Sequence, residues 1–133
     1  MNKIYSNNYP IINLYKKASS KSEVVTQMIY GEGFKVISKT LKWLKIKIKE
    51  DKYIGYIKKK KFIFYVKPTH KVSVIFAKTY KNLNSKNKTL KLPYGSKIKI
   101  NEVNSKFSRF QNRWIKTKIL NLLITKTKIF LKT

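Results

Sequence analysis

The sequence predicts an all-β protein made of two small barrel modules in tandem, and three observations predict it. From Trp43 onward apolar residues and lysines alternate strictly, with Leu44, Ile46 and Ile48 on one side and Lys45, Lys47 and Lys49 on the other. A period of two marks a strand with one buried and one wet face. Before residue 66, apolar residues never recur at a sustained i, i+3, i+4, i+7 spacing, so no amphipathic helix is predicted there. The pattern then starts again. Tyr15-Lys16 and Ser20-Lys21 are echoed by Tyr80-Lys81 and Ser85-Lys86, an offset of 65. Tyr30-Gly31 is echoed by Tyr94-Gly95, offset 64, and Trp43-Leu44-Lys45 by Trp114-Ile115-Lys116, offset 71. The extra length falls at NSKFSRFQN, residues 104–112, which reads as a polar insertion in a loop.

Taken in order, residues 1–9 are polar and read as a loose lead-in ending at Pro10. Ile11 to Tyr15 is a short strand, and KKASSKS after it is a small-residue loop. The β-branched run of EVVTQMIY suits a strand, and Gly31-Glu32-Gly33 punctuates it before FKVI resumes the alternation. Ser38-Lys39-Thr40 turns into the Trp43 strand, Glu50-Asp51-Lys52 breaks it, and Tyr53-Ile54-Gly55-Tyr56-Ile57 completes a hairpin. Phe62 to Val66 closes the first module, and Lys67-Pro68-Thr69 joins it to the second. About 60 residues is marginal for one module, since a chain of that size buries only about 60% of its unfolded surface. The tail, residues 121–133, has little counterpart in the first copy.

Composition narrows the chemistry. There is no cysteine, which excludes disulfides, thiolate metal sites and a cysteine nucleophile; the single histidine, His70, cannot hold a metal alone and reads as a linker residue. No metal or cofactor is expected. Thirty-two basic residues against five acidic ones give a net charge of +27, a field that attracts nucleic acid, anionic wall polymer or anionic lipid. Only Arg109 and Arg113 are arginine, and the excess of Lys, Ile and Asn is also what an AT-rich coding sequence drifts towards. Specific base reading leans on the arginine fork, so the field predicts weak, salt-sensitive polyanion binding. The longest uninterrupted apolar run, Phe62 to Val66, is far below a membrane span, and no signal segment opens the chain; cytoplasmic is the default expectation, with cell-wall association the other reading.

Several motifs have a familiar arrangement. Leu14-Tyr15, Ala18-Ser19-Ser20, Thr26-Gln27-Met28-Ile29-Tyr30-Gly31-Glu32, Trp43 and Asp51-Lys52-Tyr53-Ile54-Gly55-Tyr56 follow one another in the first copy. In this set the first copy resembles the bacterial SH3 domain (SH3b) that opens the NlpC-type cell-wall peptidases, γ-D-glutamyl-L-diamino-acid endopeptidases related to dipeptidyl-peptidase VI. The second copy, with Pro68-Thr69-His70-Lys71-Val72, Leu92-Pro93-Tyr94-Gly95-Ser96 and Trp114-Ile115, is similar to the second SH3b of those enzymes. The resemblance implies two SH3-like barrels, residues 10–66 and 67–120. It departs at Lys52, where the family hairpin has glycine; a left-handed Lys costs about 1–2 kcal/mol, so a longer turn is expected. In those enzymes a papain-like Cys-His domain follows the pair, and none is present here, so the chain is not expected to be an enzyme.

The resemblance also implies a site. In the full-length enzymes an acidic residue and a tyrosine of the first SH3b help recognise the free amine of an L-Ala-γ-D-Glu peptide. By motif position these are Glu32 and Tyr53, with Asp51 nearby; the competing reading makes Glu32 and Asp51 ordinary turn residues. Trp43, Tyr53 and Tyr56 form either an aromatic peptide groove or, for Trp43, part of the core, and Trp114 reads the same way. Gly31-Glu32-Gly33 lacks the third glycine and the helix of a nucleotide loop. The expected function is a non-catalytic pair that binds or positions murein (peptidoglycan) peptide for a peptidase domain not present in this chain. The alternatives are a non-specific polyanion or nucleic-acid binder and a truncated remnant of a peptidase.

Overall fold

The computed structural model describes residues 3–81 and 88–123, and within these the chain is β throughout apart from one 3-10 turn. It divides into two compact units, residues 1–66 and 67–133.

In the first unit the strands are β1 (Ile4–Ser6), β2 (Ile11–Tyr15), β3 (Val24–Ile29), β4 (Gly33–Lys39), β5 (Trp43–Ile48), β6 (Ile54–Lys58) and β7 (Ile63–Phe64). They form one antiparallel sheet in the order β3-β2-β6-β5-β4-β1-β7. The lysine alternation dictates the arrangement: Leu44, Ile46 and Ile48 are buried while Trp43, Lys45 and Lys47 face the other way. The core gathers these three with Ile12, Leu14, Met28, Phe34 and Ile57, and Phe62 packs against it. Trp43 is therefore not a core residue: its strand parity puts it on the outer face, with Lys45.

Two expectations are corrected here. The expected lead-in is not loose from residue 3 onward, because Ile4–Ser6 pairs with both β4 and β7; residues 1 and 2 lie outside the described residues. Polar composition hid a strand whose pairing partners are distant in sequence. Asn7, fully buried, donates from Nδ2 to the Met28 carbonyl (3.1 Å) and accepts from the Tyr9 N–H (2.8 Å). The hairpin turn does not spare Lys52, which adopts φ = 65°. Ile48 and Lys52 close the turn, through Ile48 N–H to the Tyr53 carbonyl (2.9 Å) and Lys52 N–H to the Ile48 carbonyl (3.2 Å).

The second unit has β8 (His70–Val72), β9 (Phe76–Tyr80), β10 (Lys88–Pro93), β11 (Lys97–Ile98), β12 (Glu102–Val103), β13 (Phe107–Phe110), β14 (Arg113–Lys116), a 3-10 turn (Thr117–Ile119) and β15 (Leu120–Leu122). These form a five-stranded sheet, β10-β9-β14-β13-β12, and a three-stranded one, β11-β8-β15. Val72, Ala77, Leu92, Ile98, Phe110 and Ile115 are buried. His70 is no linker residue: it pairs with Ile98 and Leu122, and partial burial holds its pKa below the ordinary imidazole value. The first two residues of the expected tail, 121 and 122, belong to the strand β15; the echo at Ser85-Lys86 and residues 124–133 of the tail lie outside the described residues.

Register corrects the expected tryptophan echo. Tyr15 pairs with Tyr56 in the first unit, and Tyr80 with Trp114 in the second, so Trp114 holds the place of Tyr56. Phe107 holds the place of Trp43: Thr40 N–H bonds the Trp43 carbonyl (2.9 Å) and Asn104 N–H the Phe107 carbonyl (3.0 Å). Residues 104–112 are thus not an inserted loop, since Phe107–Phe110 is a strand, and the offset stays at 64 up to the hairpin tip. Beyond it, Ile46 faces Gly55 across the first hairpin and Phe110 faces Arg113 across the second. Eight residues lie between the first pair and two between the second, so the second hairpin is shorter by six.

Candidate functional site

The five residues singled out by sequence fall into two groups. Glu32, Asp51 and Tyr53 lie on two turns that meet at one end of the first sheet, where the Lys49 N–H bonds the Gly33 carbonyl (2.8 Å). Trp43 stands at the opposite end of β5, about 17 Å away at about 3.3 Å per residue. It shares the outer sheet face with Tyr56.

Glu32 is held by its own turn. Gly31 takes φ = 88°, which turns the chain back so that the Glu32 N–H reaches the Ile29 carbonyl (3.2 Å). Its Oε1 accepts the Ile29 N–H at 2.8 Å. Ile29 is the last residue of the edge strand β3, so one side chain and one amide occupy both backbone groups of that residue. Asp51 works similarly on a smaller scale, its Oδ1 accepting the Tyr53 N–H at 3.2 Å. The Tyr53 ring is half exposed. Lys35, Lys47, Lys49 and Lys52 line a small cleft beside this end, so the two carboxylates sit in a locally cationic surround.

On the outer face the pairing row Tyr15–Tyr56–Lys45 crosses three strands. Trp43 meets Tyr15 edge-on, centroids 5.7 Å apart at 89°, and Lys45 Nζ lies 5.9 Å from the Tyr56 centroid. Tyr15 was not among the sequence candidates; the signal was its parity, since Leu14 is buried and its neighbour must face out. The second unit carries a matching row. Tyr80 meets Phe107 edge-on at 6.4 Å and 84°, and the Arg109 guanidinium lies 5.8 Å from the Trp114 centroid. Such contacts stabilise a sheet by cross-strand packing and offer a flat, cation-flanked surface.

The acid end has no such counterpart. Gly31 and Gly95 share the same turn, as Gly31 N–H bonds the Asn7 carbonyl and Gly95 N–H the Val72 carbonyl, so Ser96 stands where Glu32 does. Ser96 is fully buried and its Oγ has no hydrogen-bond partner among the described residues. Pro93 stands where Ile29 does and has no N–H to satisfy. The short second hairpin has no residues matching the Asp51 loop. Among the described residues no group of three or more His, Asp or Glu could hold a metal ion, and no helix is long and apolar enough to cross a membrane.

Comparison with known proteins follows this division. Residues 14–62 match the family model of the bacterial dipeptidyl-peptidase Sh3 domain. No match was found among curated proteins. Among solved structures, the chain is similar to an NlpC/P60 family protein from Bacillus cereus ATCC 10987, with a TM-score of 0.74 at 14% identity. That similarity covers 92% of this chain and 57% of the other, so the chain spans little more than half that protein's length. NlpC2 from Trichomonas vaginalis overlaps with a TM-score of 0.40 at 16% identity, over 91% of this chain and 48% of that one. Residues 14–62 of the first unit are thus similar to the bacterial dipeptidyl-peptidase Sh3 domain, in a chain whose fold is similar to that of part of an NlpC/P60 family protein.

Proposed function

We propose that residues 1–133 are a non-catalytic pair of bacterial SH3 modules that binds cell-wall murein peptide and positions it for a peptidase domain lying outside these residues. The observation that carries this reading is the family match over residues 14–62, which contains Glu32, Trp43, Asp51, Tyr53 and Tyr56 together. The geometry supports a division of labour. The Glu32–Asp51–Tyr53 end supplies carboxylates for the free amine of an L-Ala-γ-D-Glu peptide, and the Trp43–Tyr56 face supplies apolar contact. A carboxylate already fixed by the Ile29 N–H costs little further ordering when an ammonium arrives, and a ligand lacking the amine gains nothing from it. The cysteine-free composition fits a binding role without the Cys-His chemistry of the related peptidases.

The test is retention on purified murein and on a synthetic L-Ala-γ-D-Glu peptide at about 0.5 M salt, where the Debye length is only about 4 Å. Specific binding persists there and is lost when the peptide amine is acetylated. Binding to murein and to DNA that disappears together as salt rises would instead identify a polyanion binder, the reading favoured by the +27 charge alone. Cleavage of the peptide by pure protein would end the non-enzyme reading.

A further inference from the structure

The first unit contains a cavity of about 600 Å³ that lies apart from both groups of site residues. Its floor is apolar: Tyr5 from β1, Phe34 and Val36 from β4, Leu44 from β5, and Phe62. Phe34 and Phe62 meet edge-on at 4.9 Å, so the floor is a packed aromatic surface. Four lysines, Lys3, Lys39, Lys59 and Lys60, stand at the rim, all exposed, and no acidic residue lines the cavity. The strand β4 opens here, at the irregularity in its pairing with β5 between Val36 and Ser38.

In so basic a chain, lysines at a rim mean little by themselves, and the second unit shows what is particular here. By register Ser38 and Lys39 correspond to Glu102 and Val103, and Leu44 corresponds to Ser108. Lys59 corresponds to Thr117, since each donates its N–H across the hairpin base, to Lys42 and Lys106 respectively. Val103 is apolar and exposed, but where Leu44 and Lys59 stand the second unit is polar and self-satisfied: Ser108 and Thr117 share a hydrogen bond of 2.8 Å, and Thr117 Oγ1 donates to the Asn104 carbonyl at 2.7 Å. The Leu44 end of this position is therefore apolar with a cation beside it in one unit and a closed hydrogen-bond cluster with an acid nearby in the other. Elsewhere in the first unit, the hollow formed by Lys16, Lys17, Lys21, Ser19, Ser22 and Glu23 has lysines but no apolar floor.

We propose that this cavity binds a small amphipathic anion, an apolar chain or ring carrying one carboxylate or phosphate. The volume suits a ligand of about drug size, which needs roughly 300–1,000 Å³. The apolar body replaces water on the aromatic floor, and the head group reaches the lysines at the solvent boundary, where neither partner is fully desolvated. This site is independent of the murein reading and stands or falls without it.

The experiment is a titration of the full chain, followed by amide NMR shifts, with decanoate, decyl phosphate, decanol and inorganic phosphate, all below micelle formation. The two charged amphiphiles are expected to saturate one site with shifts centred on β1, β4 and Phe62, the tighter of them identifying the head group. Decanol and phosphate at the same concentrations are expected to be at least about tenfold weaker, because each lacks half of the contact. The double variant Lys39→Glu with Lys59→Glu should lose affinity about tenfold or more, two exposed attractions having become repulsions. Lys17→Glu with Lys21→Glu makes the same change in net charge at the floorless hollow and should leave affinity within about twofold. Equal losses in the two double variants, decanol binding as tightly as decanoate, or shifts that never saturate would each overturn the proposal.

Discussion

The two units of this protein run the same course of strands but spend their polar residues differently. At the end of the β3 edge strand the first unit has an N–H, at Ile29, and provides Glu32 to accept it. At the matching place the second unit has Pro93, with no N–H, and the acid is replaced by the buried Ser96. Glu32 thus has a structural task that exists only where its partner amide exists. The hairpins differ in the same direction: the first is six residues longer and carries Asp51 and Tyr53, the second closes at once with Gln111 at φ = 50°. The carboxylates that the murein reading requires are confined to one unit, whereas the aromatic row with a cation over it is built in both. A ligand read through its amine is expected to distinguish the units, and one held by flat apolar contact is not.

Substitutions can break or sharpen that contrast. The largest effect is expected at Gly55, where an added Cβ would lie 3.0 Å from Leu14 Cβ and 3.2 Å from the Tyr15 carbonyl. Gly55→Ala should destabilise the first unit by about 1–3 kcal/mol, the scale of overpacking a tight core, measured by denaturant unfolding followed in residues of that unit. Arg113, which pairs at the equivalent register, sits directly beside its turn, and the second hairpin carries a long side chain where the first tolerates no added Cβ.

Next come the paired turns. Glu32→Ala leaves the Ile29 N–H without its carboxylate and should cost about 1 kcal/mol or slightly more, while Glu32→Gln keeps an acceptor and should recover most of that. Ser96→Ala, which removes a buried hydroxyl that has no partner among the described residues, should be neutral or stabilising. Equal losses at Glu32→Ala and Ser96→Ala would contradict the division of roles. Lys52→Gly should stabilise by up to about 1 kcal/mol by relieving a left-handed backbone, and Gln111→Gly should do the same in the second hairpin, offset in both by the greater freedom of the unfolded chain.

The smallest effect is the pH response of the second unit. Burial holds the His70 pKa below its unfolded value near 6.5, so the unfolded chain binds the proton more readily. The resulting stability is present above about pH 6.5 and fades as pH falls through the folded pKa. His70→Gln should remove that slope from the second unit, and a thermal melt across this range checks it.

Much of the fold was legible because the period-two pattern of residues 43–49 survives its lysines, and parity alone fixes which of Leu44 and Lys45 is buried. The SH3-like resemblance added the turn motifs. Two features escaped for physical reasons. Ile4–Ser6 is a strand stabilised by long-range pairing with β4 and β7, which no local pattern announces. The tryptophan echo misled because aromatic identity was taken for position. Cross-strand rows need an aromatic ring at Trp43 and Phe107, and at Tyr56 and Trp114, and do not require the same one. Of the candidate site, the grouping was not legible, since only the meeting of the two turns through Lys49 and Gly33 brings Glu32 beside the Asp51 loop.

The most direct measurement of the central claim is amide NMR mapping of an L-Ala-γ-D-Glu peptide on the full chain at about 0.5 M salt, where charge steering is screened. The account predicts saturable shifts at Glu32, Asp51 and Tyr53, lost on acetylating the peptide amine, with the turn at Ser96 and the tip at Gln111 unmoved. Shifts that follow the lysines of both units and disappear as salt is raised would contradict it.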